Sequence, residues 1–334
     1  MLNKYLNSDP LPWLIEDSDP EVKYLTKKNI LKNEDTGDYS NLENSPNIEK
    51  ILLNSKNGIL GNLKQYDAFY TGSMWYLANA VYLGLDSRHD IIKKTAEALV
   101  DVSQLSSGGF AASSLPETED ACLTGLMAQY LLISSVEKNA ADEAIRWIIN
   151  NQRHDGGWLH TSFISNTDIL KKIMFNKTGN GLKHESNKEI RSCVFATSAC
   201  MKALILDNKD NKHSLYIRKA ADFFLENRLF MNDQANSTPS KIKKNLNRNF
   251  KLLSIPFFCQ YDILEGLNLM ALSDNFDDIR INEAFNMIIN KQNNESRWNL
   301  ESLSPGMLSF KNDKLNHPNK LVTLRMLDLL NNIY

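Results

Sequence analysis

Cysteine, proline and glycine are scarce in this 334-residue chain, which contains 4, 9 and 14 of them respectively. Four cysteines without a recognisable secretory leader favour reduced thiols over a disulfide framework. An excess of either charge is also lacking, because 38 Lys and Arg residues face 40 Asp and Glu residues. This balance indicates neither a nucleic-acid-binding surface nor an acidic, solvating tail.

Long hydrophobic runs are missing as well, and the longest apolar stretches fall well short of a membrane span. The first residues, "MLNKYLNSDPLPWLIED", reach proline and acidic residues too early for a signal peptide. We therefore expect a cytoplasmic protein with no membrane span and no nucleic-acid partner.

The sequence is rich in apolar residues at helical spacing. Five segments are apolar nearly all round, which predicts buried helices; they are 73–85, 121–133, 192–205, 261–273 and 319–333. Four amphipathic segments alternate with them and predict half-exposed helices; they are 89–105, 140–152, 215–230 and 281–292. The pattern predicts an all-α protein in which buried and half-exposed helices alternate.

The amphipathic segments end alike, in "SQLSSGGF" (103–110), "NNQRHDGGW" (150–158) and "KQNNESRWN" (291–299), whereas "ENRLF" (226–230) lacks the glycines. The glycine pairs at 108–109 and 156–157 are 48 residues apart, a period typical of stacked structural repeats. Polar insertions at 162–191 and 231–249 lengthen the later repeats.

The second of these endings predicts a particular turn. We expect Gln152 to end the helix and Asp155 to cap the turn through backbone amides. Gly156 and Gly157 would supply positive φ, and Trp158 would pack one hairpin onto the next. The motif therefore predicts a structural role rather than a chemical one.

"QRHDGGW" resembles the repeat motif, glutamine followed by Asp-Gly-Gly/Ser-Trp, of squalene/hopene cyclases and protein prenyltransferase β subunits. The resemblance covers roughly residues 50–334 and implies their shared fold, an α/α toroid whose inner helices line a central cavity and whose outer helices surround them. Residues 13–31 resemble the N-terminal segment of bacterial single-toroid relatives. We therefore expect residues 1–48 to form a helical segment that packs on one toroid domain of residues 49–334.

The prenyltransferase resemblance also implies a zinc site. Asp120-Ala121-Cys122 matches an Asp-x-Cys motif that binds Zn²⁺ together with a histidine from a later inner helix, and Cys193 stands where that histidine is expected. Thiolate and imidazole both suit zinc, so the departure weakens the transfer of prenyltransferase activity more than that of metal binding.

An alignment of the buried helices on their apolar residues places Cys122, Cys193 and Asp262 at equivalent positions. A catalytic zinc needs about three protein ligands, and the best set is Cys122, Cys193 and His160, which follows the second turn by two residues. Asp120 or Asp262 would be a fourth ligand or orient the others. His184 and His317 are alternative ligands, whereas Cys200 and Cys259 are expected in the core.

The cyclase resemblance implies a different chemistry, in which an aspartic acid protonates an alkene. Neither an Asp-x-Asp-Asp nor an Asp-Cys-Thr motif is complete, since "DNFDD" (274–278) suits a helix cap and "EDACLTG" (119–125) is interrupted. Asp120 and Asp262 are the candidate proton donors, with Tyr261 as a further catalytic candidate. Aromatic residues would line the cavity and stabilise cations, or else simply pack in the core: Trp75, Tyr76, Phe195, Phe257, Phe258 and Tyr261.

Three functions stay open at this point. The first is a zinc-dependent enzyme acting on a lipophilic, isoprenoid or thiol-bearing substrate. The second is a cyclase of the class II type that uses an aspartic acid, and the third is a non-catalytic toroid that binds a ligand or a partner protein. The lysine-rich stretch 241–251 would bind an anionic group in the first two cases, or only solvate the rim.

Overall fold

The computed structural model describes residues 4–17, 19–33, 37–63, 72–112, 118–159, 191–230, 250–255, 261–303, 310 and 313–333. Within these ranges the protein is mostly helical, with only short strands, as the sequence predicts. Apart from Arg191, both polar insertions lie outside the described residues.

The N-terminal region begins with short helices, α1 (Leu11–Leu14) and α2 (Pro20–Leu25), the latter continuing into a π-helix (Thr26–Ile30). A 3₁₀ helix (Asp38–Asn44) and α3 (Pro46–Leu52) follow. Strands β1 (Ser55–Lys56) and β2 (Ile59–Leu60) pair antiparallel. The π-helix packs on the last helix of the chain, so this region contacts the rest of the protein.

Pairs of buried and half-exposed helices make up the remainder. The first two pairs are α4 (Ser73–Tyr82) with α5 (Asp90–Ser103), and α6 (Ala121–Ser134) with α7 (Lys138–Asn150). The next are α8 (Val194–Leu206) with α9 (Ser214–Glu226), and α10 (Ile263–Leu272) with α11 (Asn282–Ile289). The buried helix α12 (Lys320–Asn332) follows. Two-residue strands β3 (Ser254–Ile255) and β4 (Ser302–Leu303) pair in parallel between the later repeats.

The packing follows the sequence pattern. Each buried helix contacts the next one along the chain, from α4 through α6, α8 and α10 to α12, and each also contacts the half-exposed helix that follows it. Helices α6 and α8 approach so closely at Gly125 that a Cβ on this residue would lie 2.6 Å from the carbonyl carbon of Ala199. The lack of a side chain at Gly125 permits this approach. Helices that are apolar on all sides are thus enclosed by neighbours, and the amphipathic helices keep a polar face outward.

The turn that ends α7 has the predicted geometry with one correction. Gly156 has a φ of +82°, and Asp155 accepts hydrogen bonds from the amide of Gly157 (3.3 Å) and of Ser192 (2.8 Å). Gly157, however, is not among the residues with positive φ. A Cβ there would lie 2.5 Å from Cβ of Ser192, so this glycine is needed for close approach rather than for its backbone conformation.

The tryptophan of this turn joins two helices. The indole Nε1 of Trp158 donates to the carbonyl of Ile148 in α7 (2.8 Å), and its backbone amide donates to Oγ1 of Thr197 in α8 (3.2 Å). Trp298 makes the same bonds with Ile288 (2.8 Å) and Thr323 (3.1 Å). In both turns the tryptophan therefore links successive helical hairpins through the same pair of hydrogen bonds.

The glutamine of the motif links each hairpin to the half-exposed helix of the next one. Nε2 of Gln152 donates to the carbonyl of Gly156 in its own turn (2.9 Å) and to that of Tyr216 in α9 (2.8 Å). Gln104 repeats the second bond with Ala140 in α7 (2.8 Å). Helix α7 ends at Asn150, two residues before the predicted end at Gln152.

Across the described part of the chain, every helix is too short or too polar to cross a membrane.

Candidate functional site

Asp120 and Asp262, the predicted proton donors, both cap buried helices. The side chain of Asp120 accepts a hydrogen bond from the amide of Leu123 (2.9 Å), and that of Asp262 accepts one from the amide of Glu265 (2.9 Å). Both carboxylates are buried at the N-terminus of a helix, where unpaired amides and the helix dipole stabilise negative charge. Each carboxylate therefore has a structural role as a helix cap.

Asp262 has a further partner, which the sequence analysis did not identify. Arg325 in α12 donates to both carboxylate oxygens of Asp262, at 2.8 and 2.9 Å, and to the carbonyl of Ser254 (3.0 Å). Burial alone would lower the pKa of Arg325, but Asp262 outweighs this effect and the pKa is raised. The two side chains form a buried ion pair that joins α10 to α12, and both carboxylate oxygens of Asp262 are occupied as hydrogen-bond acceptors.

Tyr261 lies in the core, next to Asp262. Its hydroxyl donates to the carbonyl of Leu229 (2.6 Å), and burial raises its pKa well above the usual value. The hydroxyl thereby reaches the turn after α9, which lacks the glycines and instead holds Arg228 and Leu229 at positive φ. The hydroxyl therefore stabilises the irregular turn, and Tyr261 does not line the cavity described below.

Two of the three predicted zinc ligands lie among the described residues. Cys122 is buried in the first turn of α6, Cys193 is half-buried at the N-cap of α8, and His160 lies outside the described residues. No group of three or more His, Cys, Asp or Glu side chains that could hold a metal occurs among the residues the structure describes. The described cysteines alone do not make up a catalytic zinc site, which needs about three protein ligands.

The other cysteines and histidines named above contribute no described ligand to such a site. Cys200 is fully buried, as predicted, and donates to the carbonyl of Ala121 (3.3 Å), while burial raises the pKa of its thiol. His317 is exposed, with Nδ1 2.9 Å from the carbonyl of Leu315. Cys259 and His184 lie outside the described residues.

A cavity of about 460 Å³ lies between the buried helices. Each of α6, α8, α10 and α12 contributes residues spaced three or four apart, which place one helical stripe on the cavity wall, and α4 contributes Val81 and Tyr82 from its C-terminal end. Apolar and aromatic side chains form much of this wall: Tyr82, Leu126, Tyr130, Phe195, Leu321 and Leu324. The volume lies within the range of pockets that bind small molecules, about 300–1,000 Å³.

Of the aromatic residues predicted to line a cavity, Phe195 does so. Trp75 and Tyr76 are buried in α4 but are not among the lining residues, and Phe257 and Phe258 lie outside the described ranges. Tyr82, which the sequence analysis missed, lines the wall, and burial raises its pKa to about 12. Its phenol therefore stays protonated at neutral pH.

Charged side chains converge on the cavity from three helices. Lys202 of α8 and Glu265 of α10 form a salt bridge of 2.8 Å, and both line the wall together with Arg325 and Asp328 of α12. Burial raises the pKa of Asp328, although the nearby charge of Lys202 opposes the shift. A mostly apolar cavity with a few convergent charges is the usual form of a ligand site.

Asn268 of α10 also lines this polar region. Its side chain is 8% exposed, and Oδ1 has no hydrogen-bond partner among the described residues. Buried amide oxygens without a partner are uncommon and costly, so this atom points to a missing partner such as a ligand.

The N-terminal region contributes to the same wall. Leu25, Lys28 and Asn29, at the end of α2 and in the π-helix, line the cavity. Tyr24 packs against Gly84, where a Cβ would lie 2.9 Å from the tyrosine ring. Residues before the repeats are therefore part of the site.

The chain matches no model of a known protein family and no curated protein sequence. The geometry of the cavity is thus the main observation from which a function can be inferred.

Proposed function

We propose that this protein is a single α/α toroid, similar to squalene/hopene cyclases and protein prenyltransferase β subunits, that binds a lipophilic small molecule in its central cavity. The observation that carries the proposal is the cavity itself, whose wall takes one stripe from each of four successive buried helices and two residues from the end of the buried helix before them. Such a wall is what a ring of inner helices would produce, and its apolar side chains favour a lipophilic ligand.

The contacts between helices support the ring arrangement. The sequence of contacts from α4 to α12, with the half-exposed helices alongside, is the order expected of inner and outer helices. The N-terminal segment also meets the last turn motif, because Nε2 of Gln292 donates to the carbonyl of Tyr5 (2.8 Å). In this way the last turn motif binds the N-terminal segment, as earlier motifs bind the next half-exposed helix.

Direct binding of an apolar fluorophore tests the proposal. Diphenylhexatriene, a hydrocarbon that fluoresces strongly only out of water, should bind the purified protein with a stoichiometry near one. Ser198 lies on α8 and lines the cavity, so Ser198→Phe should fill part of the space and weaken binding roughly tenfold or more. Val102→Phe, on the exposed side of α5, is the matched control and should bind as the parent does.

Two outcomes would contradict the proposal. One is no binding by a folded parent protein, with folding checked by circular dichroism. The other is equal binding by Ser198→Phe and the parent, which would place the fluorophore elsewhere.

Zinc-dependent catalysis stays a separate prediction, and ligand binding in the cavity does not require it. Cys122 lines the cavity and Cys193 begins the neighbouring helix α8, but completion of the site depends on His160 or on another ligand outside the described residues. Metal analysis of the purified protein decides the question. Stoichiometric zinc that is lost in Cys122→Ala and Cys193→Ala would support the enzyme, and a folded, metal-free parent protein would contradict it.

A further inference from the structure

We infer that the cavity selects a lipophilic molecule with a cationic head group, such as a protonated amine, and that Asp328 and Asn268 receive this head group. The inference rests on the proposed function, because it names the chemical class of the ligand. It is argued from the balance of charge at the polar end of the cavity and from the unpaired amide oxygen there.

At the polar end of the cavity, carboxylates outnumber positively charged side chains. Asp262 and Arg325 form one ion pair, and Glu265 and Lys202 form another. Asp328 adds a third carboxylate to these two cations, which leaves one net negative charge. Among the described residues, no hydrogen bond and no ion pair within 4.0 Å ends on Asp328, so its carboxylate is available to a ligand.

Other charged groups near the cavity do not supply the missing cation. Asp86 lines the wall but is bound by Arg88 at 2.7 Å. Lys28 is exposed on the π-helix, with its ammonium 5.6 Å from the centre of the Tyr24 ring. Lys32 is also exposed, and solvent screens its attraction for Asp328.

Asn268 provides an independent observation. Its oxygen lacks a partner and its side chain lines the same polar region, one turn from Glu265 on α10. The amide can rotate about its last torsion, and an oxygen turned toward the cavity would accept a hydrogen bond from an ammonium or a hydroxyl. Asn268 therefore favours a donor on the ligand, and Asp328 favours a positively charged one.

The apolar part of the cavity wall determines which chemical groups suit the body of the ligand. Leu126, Phe195 and Leu324 are apolar and offer no hydrogen bonds, so the body of the molecule is expected to be hydrocarbon-like. The aromatic rings of Phe195 and Tyr130 add a favourable surface for a cation that lies off the centre of the site.

A matched series of ten-carbon compounds tests the inference: n-decylamine, n-decanol and decanoate, each titrated against bound diphenylhexatriene. At neutral pH their head groups are positive, neutral and negative, while their tails are identical. We expect decylamine to displace the probe at a concentration roughly tenfold or more below that of decanol, because a charge-assisted hydrogen bond is stronger than a neutral one, and decanoate to be weakest.

Variants then assign the selection to the two side chains. Asp328→Asn should bring decylamine and decanol to equal affinity, whereas Asp328→Glu should keep the preference. Asn268→Leu should weaken both compounds alike, because a neutral acceptor serves either donor. Asp101→Asn removes an exposed carboxylate from α5 and is the control for a change of net charge.

Equal affinity of the parent protein for decylamine and decanol would overturn the inference but leave the proposed function intact, since both compounds would still bind. A preference for decylamine that survives in Asp328→Asn would overturn it as well. Failure of the protein to bind the probe or any of the three compounds would overturn both proposals together.

Discussion

Gly156 shows how a single position fixes the turn between hairpins. It has a φ of +82°, and a Cβ there would lie 2.0 Å from the carbonyl oxygen of Lys219 in α9. Backbone atoms of a packed helix cannot move aside as a flexible side chain can. The residue is therefore constrained both by its backbone conformation and by a neighbouring helix.

Gly156→Ala should lower the free energy of unfolding by roughly 3 kcal/mol or more, the sum of a left-handed backbone penalty and overpacking. Gly37→Ala is the matched control, because Gly37 also has a positive φ (+48°) but nothing lies within 4 Å of its Cβ position. The control substitution should lower the free energy of unfolding by only about 1–2 kcal/mol. Urea denaturation measures both, and equal losses would show that the helix contact is unimportant.

Asp313 precedes the last helix and is predicted to make stability depend on pH. Burial raises the pKa of its carboxyl to about 6, although it accepts hydrogen bonds from Asn319 (3.1 Å) and the amide of Phe310 (3.2 Å). Between pH values near 4 and 6 the folded protein keeps a proton that the unfolded chain releases. The free energy of unfolding should therefore fall as the pH rises through this window.

The expected fall is about 1–2 kcal/mol, since the partial exposure of Asp313 screens part of the effect. Asp313→Asn should show a flatter dependence on pH than the parent protein over the same window. Thermal or urea denaturation at pH 4.5, 5.5 and 7 gives the comparison. Parallel profiles for the two proteins would assign the dependence to other carboxyl groups.

Individual side chains were the hardest feature to predict from the sequence. Gly157 looked like a second residue with positive φ, but its role depends on the approach of Ser192, which lies beyond a long insertion. Asp328 and Arg325 were missed because they occur in a segment read as a buried helix. The sequence alone does not show which face of such a helix meets a cavity.

At the scale of helices and strands, the sequence predicts most of what is described. The buried segment 121–133 corresponds to Ala121–Ser134, and 319–333 to Lys320–Asn332. The prediction of which positions are equivalent in different helices was less accurate. A segment that is apolar on every side does not show which of its faces points in a given direction. The alignment set Cys122 beside Cys193, but Cys193 caps its helix whereas Cys122 lies two residues inside, so the cap Asp120 is its counterpart.

The ion pair between Asp262 and Arg325 is the strongest described polar link between α10 and α12. Arg325→Met should lower the free energy of unfolding by about 3–5 kcal/mol, because it leaves the Asp262 carboxylate buried without its partner. Adding Asp262→Asn should recover part of this loss, since the neutral amide needs less compensation and can still cap the helix. A double-mutant cycle in urea measures the coupling, and additive losses would contradict a direct interaction.

At the scale of the whole molecule, the N-terminal segment is held against the last half-exposed helix and the turn that follows it. Tyr5 accepts from Gln292 at 2.8 Å, the amide of Ser8 donates to Oγ of Ser296 (2.8 Å), and the Tyr5 ring meets Phe285 edge-on at 5.1 Å. The partners are residues of the last turn motif and of α11. Residues 1–48 were predicted to form a helical segment that packs on the repeats, and these contacts join its start to α11 and to the turn after it.

Gln292→Met is therefore expected to loosen the N-terminus specifically. The substitution keeps the length of the side chain but removes the donor to Tyr5 and the acceptor for the amide of Asn7 (3.2 Å). Hydrogen exchange of the amides of Asn7 and Ser8 should become faster, and the free energy of unfolding should fall by about 1–2 kcal/mol.

Gln152→Met is the matched control, because it breaks the equivalent bonds between α7 and α9. It should lower stability by a similar amount while leaving the exchange of Asn7 and Ser8 at the parent rate under native conditions. If Gln292→Met left these two amides unchanged, the contact between the N-terminal segment and the last turn motif would be incidental. If only Gln292→Met accelerates them, the same motif that links successive hairpins also holds the N-terminal segment in place.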